Sequence, residues 1–129
     1  MAKTLMDLVS AARGRILEID AAALRDELAA GDLLLVDVRE PDEHRLGHLP
    51  GAVLIPRGTI EPAADLHFPK RHPELSQARK RRVVLYCGTG GRSALACDVL
   101  QAMGFENVAS LAGGYAAWQE AEFEVAAHP

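Results

Sequence analysis

Short apolar runs, too unbroken for a half-exposed strand, alternate along this chain with segments of helical spacing. The clearest runs are Leu33-Leu34-Leu35-Val36-Asp37-Val38 and Val83-Val84-Leu85-Tyr86. Both read as strands covered on each face, as in a parallel sheet. Weaker strand patterns occupy residues 15–19, 52–55 and 108–111. Between them the spacing predicts helices over residues 21–30, 41–46, 92–103 and 114–122. Asp20 is placed to cap the first of these and Gly31 to end it, Pro41 suits the first turn of the second, and Trp118 points inward from the last. Leu5, Leu8, Val9 and Ala12 add an amphipathic helix within the first dozen residues. Residues 56–82, broken by Pro62, Pro69 and Pro73, are expected to hold short helical or irregular pieces.

Strand alternating with helix predicts an α/β fold, a central mainly parallel sheet flanked by helices on both faces and joined by right-handed crossovers. Ligands of such sheets bind at the carboxyl ends of strands. Asp37-Val38-Arg39 and Cys87 both fall at such ends, so they are expected on one edge of the molecule. We expect residues 1–14 to form an N-terminal helix or extension and residues 15–125 the domain proper.

With 129 residues the chain fits one domain, and 49% hydrophobic with 25% charged residues excludes disordered and fibrous classes. Fourteen basic against eighteen acidic residues leave a net charge of -4, which argues against nucleic acid as a partner. The basic run Arg79-Lys80-Arg81-Arg82 reads as a solvated loop guarding the strand that follows. The first 13 residues are interrupted by Thr4, Asp7 and Ser10, unlike a signal peptide, and no stretch approaches the ~20 apolar residues of a membrane span. Cys87 and Cys97 are too few for a disulfide framework and are spaced as neither a Cys-x-x-Cys pair nor a zinc knuckle. A cytoplasmic, reducing setting is therefore expected.

Chemistry concentrates in Cys87-Gly88-Thr89-Gly90-Gly91-Arg92-Ser93, between a buried strand and a helix. A thiol held there faces backbone N–H groups at a helix N-terminus, which favour its anionic, nucleophilic form. Gly88, Gly90 and Gly91 permit close backbone approach, Thr89 adds a further N–H, Arg92 supplies a cation and Ser93 a hydroxyl. We assign Cys87 as nucleophile and residues 88–93 as an anion cradle.

The chain resembles the rhodanese family of sulfurtransferases in four motifs in order, spanning residues 15 to about 122. They are Leu35-Val36-Asp37-Val38-Arg39-Glu40; Gly47-His48-Leu49-Pro50-Gly51-Ala52; residues 86–93; and Leu111-Ala112-Gly113-Gly114-Tyr115-Ala116-Ala117-Trp118. The resemblance implies that Cys87 takes a sulfane sulfur from a small donor anion such as thiosulfate, or from a persulfide, and holds it as a persulfide. It then passes the sulfur to cyanide in assays, or to a thiol or a protein acceptor in cells. No metal or organic cofactor is implied, and neither is a membrane. Many thiosulfate-using relatives carry a basic residue after the cysteine, where this chain has Gly88.

Cysteine-dependent phosphatases and arsenate reductases of related architecture place five residues between cysteine and arginine. Here four intervene, Gly88 to Gly91, a ring better matched to one sulfur atom than to a phosphate, and Tyr86 rather than histidine precedes the cysteine. A different class of alternative is a non-enzymatic sulfur-relay or redox-sensing module that binds another protein. Asp37 and Arg39 are expected to pair as loop scaffold, with Arg57 a supporting cation or a surface residue. His44 and His48, with Glu43 adjacent, look like half a metal site, but Gly47 and Pro50 break the helix a site would need. Cys97 is expected to be a buried, inert thiol.

Overall fold

Eight residues buried without a break form the middle of the sheet: β2 (Leu34–Asp37) and β4 (Val83–Tyr86). The computed structural model describes residues 1–127. The short edge strands β1 (Leu17–Ile19) and β3 (Val53–Leu54) and the buried β5 (Val108–Leu111) complete it, in the order β1-β5-β4-β2-β3. Every pairing is parallel, so each connection must cross over one face.

The pleat explains why these runs are apolar throughout. Leu34, Val36, Val83 and Leu85 join a cluster with Ile60, Ala96, Cys97 and Leu100 on one face. Their neighbours Leu35, Val84 and Tyr86 turn to the other face, against Leu24, Leu111 and Trp118. Successive side chains point to opposite sides, so a strand with helices on both sides has no polar face to spare. The first cluster packs α4 (Ile60–Ala64) and α5 (Gly91–Ala102), the second α2 (Ala21–Ala30) and α6 (Gly114–Glu120). Burial of each large aliphatic residue in these layers contributes about 1.5–3 kcal/mol before the entropy of ordering is subtracted.

Local signals work as expected. The Asp20 side chain accepts from the Ala23 amide and Gly31 ends α2 in the left-handed conformation at φ +89°. Pro41 opens α3 (Pro41–Leu46). The N-terminal α1 (Leu5–Arg13) begins with a reciprocal capping box between Thr4 and Asp7 and buries Val9 and Ala12 beside Ala94 of α5. Leu5 and Leu8 of the expected apolar stripe stay exposed, so that stripe is narrower than its spacing predicts. Residues 56–82 resolve into two single 3₁₀ turns and α4, and the last helix stops at Glu120, before Glu122 takes φ +61°.

The basic run is more tied down than a solvated loop. Arg79 donates to the Met103 and Ser76 carbonyls and stacks over Phe105, while Arg82 makes a two-pronged contact with Glu27. Lys80 and Arg81 do remain exposed. No helix among the described residues is long and apolar enough to cross a membrane.

Candidate active site

Asp37 of β2 stands in register with Tyr86 of β4, which puts Cys87 one residue past the end of a central strand and next to the Asp37-Val38-Arg39 segment. The two motifs thus meet on the carboxyl edge of the sheet. The chain turns immediately through Gly90, at φ +108°, into α5. A Cβ at Gly90 would meet Gly113 N and Leu111 O at 3.5 and 3.6 Å in a backbone conformation side chains rarely adopt, which accounts for glycine there.

Inside this turn the Cys87 Sγ accepts from the Gly90 amide at 3.1 Å, the Ser93 amide at 3.4 Å and the Ser93 hydroxyl at 3.5 Å. The thiol is 1% exposed. Burial is the largest single influence and pushes its pKa up. The Ser93 hydroxyl and the amides of Ser93, Gly90 and Thr89 together outweigh it, and the net direction is down. The donors around the sulfur thus favour its anionic form without calling on water.

The cradle differs in detail from the expectation. Its N–H donors are the amides of Thr89, Gly90 and Ser93, and Arg92 does not turn its fork wholly to the thiol. Instead the guanidinium grips Glu43 of α3, Nη1 to Oε1 at 2.7 Å and Nη2 to Oε2 at 3.1 Å. Gly88 lies beside this pair, since a Cβ there would stand 3.3 Å from Arg92 Nη2. Glu43, read from sequence only as a neighbour of His44, is thereby tied to the arginine of the loop.

Two further residues were given no role at the loop by the sequence, Ser110 and, though quoted within the fourth motif, Gly114. Ser110 of β5 is fully buried and its hydroxyl lies 2.8 Å from that of Ser93. Gly114, the first residue of α6, allows that helix to abut the loop, and the Tyr115 and Ala116 amides donate to the Cys87 and Gly88 carbonyls at 2.7 and 3.0 Å. A Cβ at Gly114 would fall 2.5 Å from the Cys87 oxygen. Serine at the end of an apolar strand and the doubled glycine 113–114 are the signals that could have marked them.

Asp37 and Arg39 form the expected pair, deeper and better connected than spacing alone suggests. Arg39 Nε and Nη2 reach Asp37 Oδ1 and Oδ2 at 3.0 and 2.9 Å, and Nη2 also donates to the Gly47 carbonyl at 2.6 Å. Tyr86 donates its hydroxyl to Asp37 at 3.0 Å and accepts from the Leu49 amide, and His44 Nδ1 lies 2.8 Å from the same carboxylate. Burial pushes the Asp37 carboxyl up, but Arg39 and His44 bring it below its ordinary value. Both oxygens of the buried Asp37 carboxylate are met by partners, as a buried charge requires.

His44 and His48 stack with ring centroids 3.8 Å apart, and His48 Nδ1 contacts the His44 carbonyl at 2.7 Å, a local contact within the turn rather than half of a metal site. Arg57 is partly exposed and paired with Glu61 at 3.1 Å. Cys97 is completely buried, with its thiol pushed up to about 12 by desolvation. A cavity of about 560 Å³ lined by Arg25, Leu28, Pro50, Trp118 and Phe123 contains none of the loop residues.

Similar proteins are known. A sulfurtransferase from Allochromatium vinosum is 39% identical over 102 residues, covering 78% of this chain and 86% of the relative. The human thiosulfate:glutathione sulfurtransferase is 33% identical over 104 residues, covering 77% and 90%. Among solved structures, a Rhodopseudomonas palustris protein of unknown function, described as a possible tyrosine phosphatase, superposes with a TM-score of 0.88 at 32% identity, covering 98% of this chain and 96% of that one. A curated relative from Schizosaccharomyces pombe is longer, and the chain spans 63% of its length. The Rhodanese-like domain family matches residues 20–121, within which β2 to β5, the cysteine loop and the Asp37 network all lie, and the chain belongs to that family.

Proposed function

We propose that this protein is a sulfurtransferase that carries sulfane sulfur on Cys87 between a small donor and a thiophilic acceptor. The observation that carries this reading is the convergence of the Gly90 and Ser93 donors on one buried sulfur whose pKa is depressed. A Cys87 thiolate attacks the outer sulfur of thiosulfate or of a persulfide. A new S–S bond forms, the donor's own bond breaks, and sulfite or a thiolate leaves with the electron pair. The acceptor, cyanide in assays and a thiol or protein in cells, then takes the outer sulfur and returns the thiolate. Double displacement of this kind predicts ping-pong kinetics.

The cradle amides favour the carried sulfur as an anion in the same way as the resting thiolate. The chemistry needs a reduced Cys87, which suits a reducing, cytoplasmic setting. We take residues 15–125 as the catalytic domain and the N-terminal helix as an addition packed on α5. A phosphatase reading is weakened by the four-residue interval between Cys87 and Arg92 and by the engagement of Arg92 with Glu43.

Incubation with thiosulfate or cysteine persulfide, followed by intact mass measurement, is the test. The wild type is expected to gain one sulfur atom, to lose it to cyanide as thiocyanate, and to turn over. Cys87→Ser is expected to do none of these. Loading without turnover would instead mark a sulfur-relay module, and no adduct from either donor would overturn the assignment.

A further inference from the structure

The cations that the sequence offers to an anionic donor are all engaged with carboxylates. Arg39 pairs with Asp37, Arg57 with Glu61, and Arg92, which adjoins the thiol in the loop, with Glu43. The last pair is bidentate, the strongest geometry open to a guanidinium and a carboxylate. Glu43 is held from a second side, because its Oε1 also accepts the Glu40 amide at 3.0 Å across the first turn of α3. The two side chains are 40% and 39% exposed, so the pair stands open to water at the loop while the thiol itself is buried. An exposed pair of this kind adds little to stability. Its consequence is electrostatic. A lone Arg92 would draw a dianion toward the Gly88 side of the loop, whereas the pair presents a net charge near zero with a fixed carboxylate beside the approach.

Resting on the sulfurtransferase reading above, we propose that Glu43 is a specificity-determining residue: by holding Arg92 beside the Cys87 loop it disfavours dianionic donors such as thiosulfate and favours alkyl persulfides of low net charge. Gly88 reinforces the bias, since it contributes no cation of its own. Loading from a persulfide, R–S–SH, balances without any external oxidant or reductant. The Cys87 thiolate bonds to the outer sulfur, the donor S–S bond breaks, and the electron pair leaves on RS⁻, so Cys87 carries the S–SH group. A thiosulfate donor reacts in the same sense and expels sulfite, but must first bring two negative charges past Glu43 or displace it from Arg92.

Single-turnover loading of the full chain, read by intact mass at low ionic strength, tests this with thiosulfate and cysteine persulfide as the two donors. Glu43→Gln removes the charge yet keeps an acceptor for the Glu40 amide, so the start of α3 is preserved. The expected result is about a tenfold faster loading from thiosulfate and less than about a twofold change from cysteine persulfide, as removal of one like charge near the path implies. Added salt should shrink the difference between the variant and the wild type. Glu43→Asp, which keeps the charge, should retain the wild-type ratio of the two donors and covers the case in which the glutamine variant does not fold. An unchanged donor ratio in a folded Glu43→Gln overturns the role of Glu43 alone. Failure of the wild type to load from either donor overturns the sulfurtransferase reading and this inference with it.

Discussion

The Ser93 and Ser110 hydroxyls lie 2.8 Å apart, and Ser93 is the residue whose hydroxyl and amide both reach the Cys87 sulfur. Ser93 has one hydroxyl proton and three acceptors within reach: Cys87 Sγ, the Gly90 carbonyl at 3.3 Å and Ser110. If Ser110 donates to Ser93, the Ser93 proton is left for the sulfur or the carbonyl. Ser110 is then a positioning residue that acts through its neighbour.

Ser110→Ala is therefore expected to weaken the hold on the thiolate by about 1 kcal/mol, the net worth of one such hydrogen bond, or about fivefold in alkylation rate at neutral pH. The pH profile is the discriminating measurement. Because the Cys87 pKa is lowered, the wild-type alkylation rate should reach half its maximum at a lower pH than that of an ordinary exposed cysteine, and the variant's midpoint should move up. A purely structural serine would leave that midpoint in place.

The two cysteines should separate cleanly by reactivity. Native protein treated with a limiting alkylating agent at neutral pH is expected to be modified at Cys87 and spared at Cys97, whose thiol is buried in an apolar cluster and pushed up to about 12. Cys97→Ala should cost about 1 kcal/mol in stability as a small cavity and leave sulfur loading intact. Peptide mapping by mass spectrometry decides between the sites.

Removal of the carboxylate at the centre of the strand-end network should unfold more than it inactivates. Asp37→Asn leaves Arg39 buried without its counter-charge and is expected to cost about 3–5 kcal/mol. For a domain of this size that is a fall in Tm of roughly 10–20 °C. The pH dependence has a definite sign. The carboxyl is depressed in the folded protein, so its contribution is complete above the ordinary aspartate pKa of ~3.9 and is lost as pH falls through the lower folded value. Wild type should thus lose stability below about pH 4, with a shallower loss in the asparagine variant.

Gly114→Ala tests how far the cysteine loop depends on α6. The new Cβ would sit 2.5 Å from the Cys87 oxygen and 2.8 Å from Gly88, at a backbone φ of +58° that side chains rarely adopt. A loss of about 1–3 kcal/mol is expected from the conformation alone. Because the colliding atoms belong to the loop, sulfur loading at a temperature where the variant is fully folded should fall as well. Chemical denaturation and single-turnover loading, measured side by side, separate the two effects.

The buried strands, the caps at Asp20 and Gly31, and the glycine-rich turn after Cys87 were legible because each rests on residues within about four positions of one another. The motif that places Cys87 before a helix start belongs to the same class, and so does the Asp37–Arg39 pair, two residues apart. The order β1-β5-β4-β2-β3 was decided by tertiary structure, and with it which side chains meet. Glu43 and Arg92 are 49 positions apart, and Ser93 and Ser110 are 17. Crossover connections bring them together on one sheet edge, and no local period records that encounter. Local sequence thus places the Cys87 sulfur and the backbone around it. Only the packing of α3, β5 and α6 around that sulfur decided which charges and hydroxyls it answers to, because long-range electrostatic and hydrogen-bond partners are chosen by the fold as a whole.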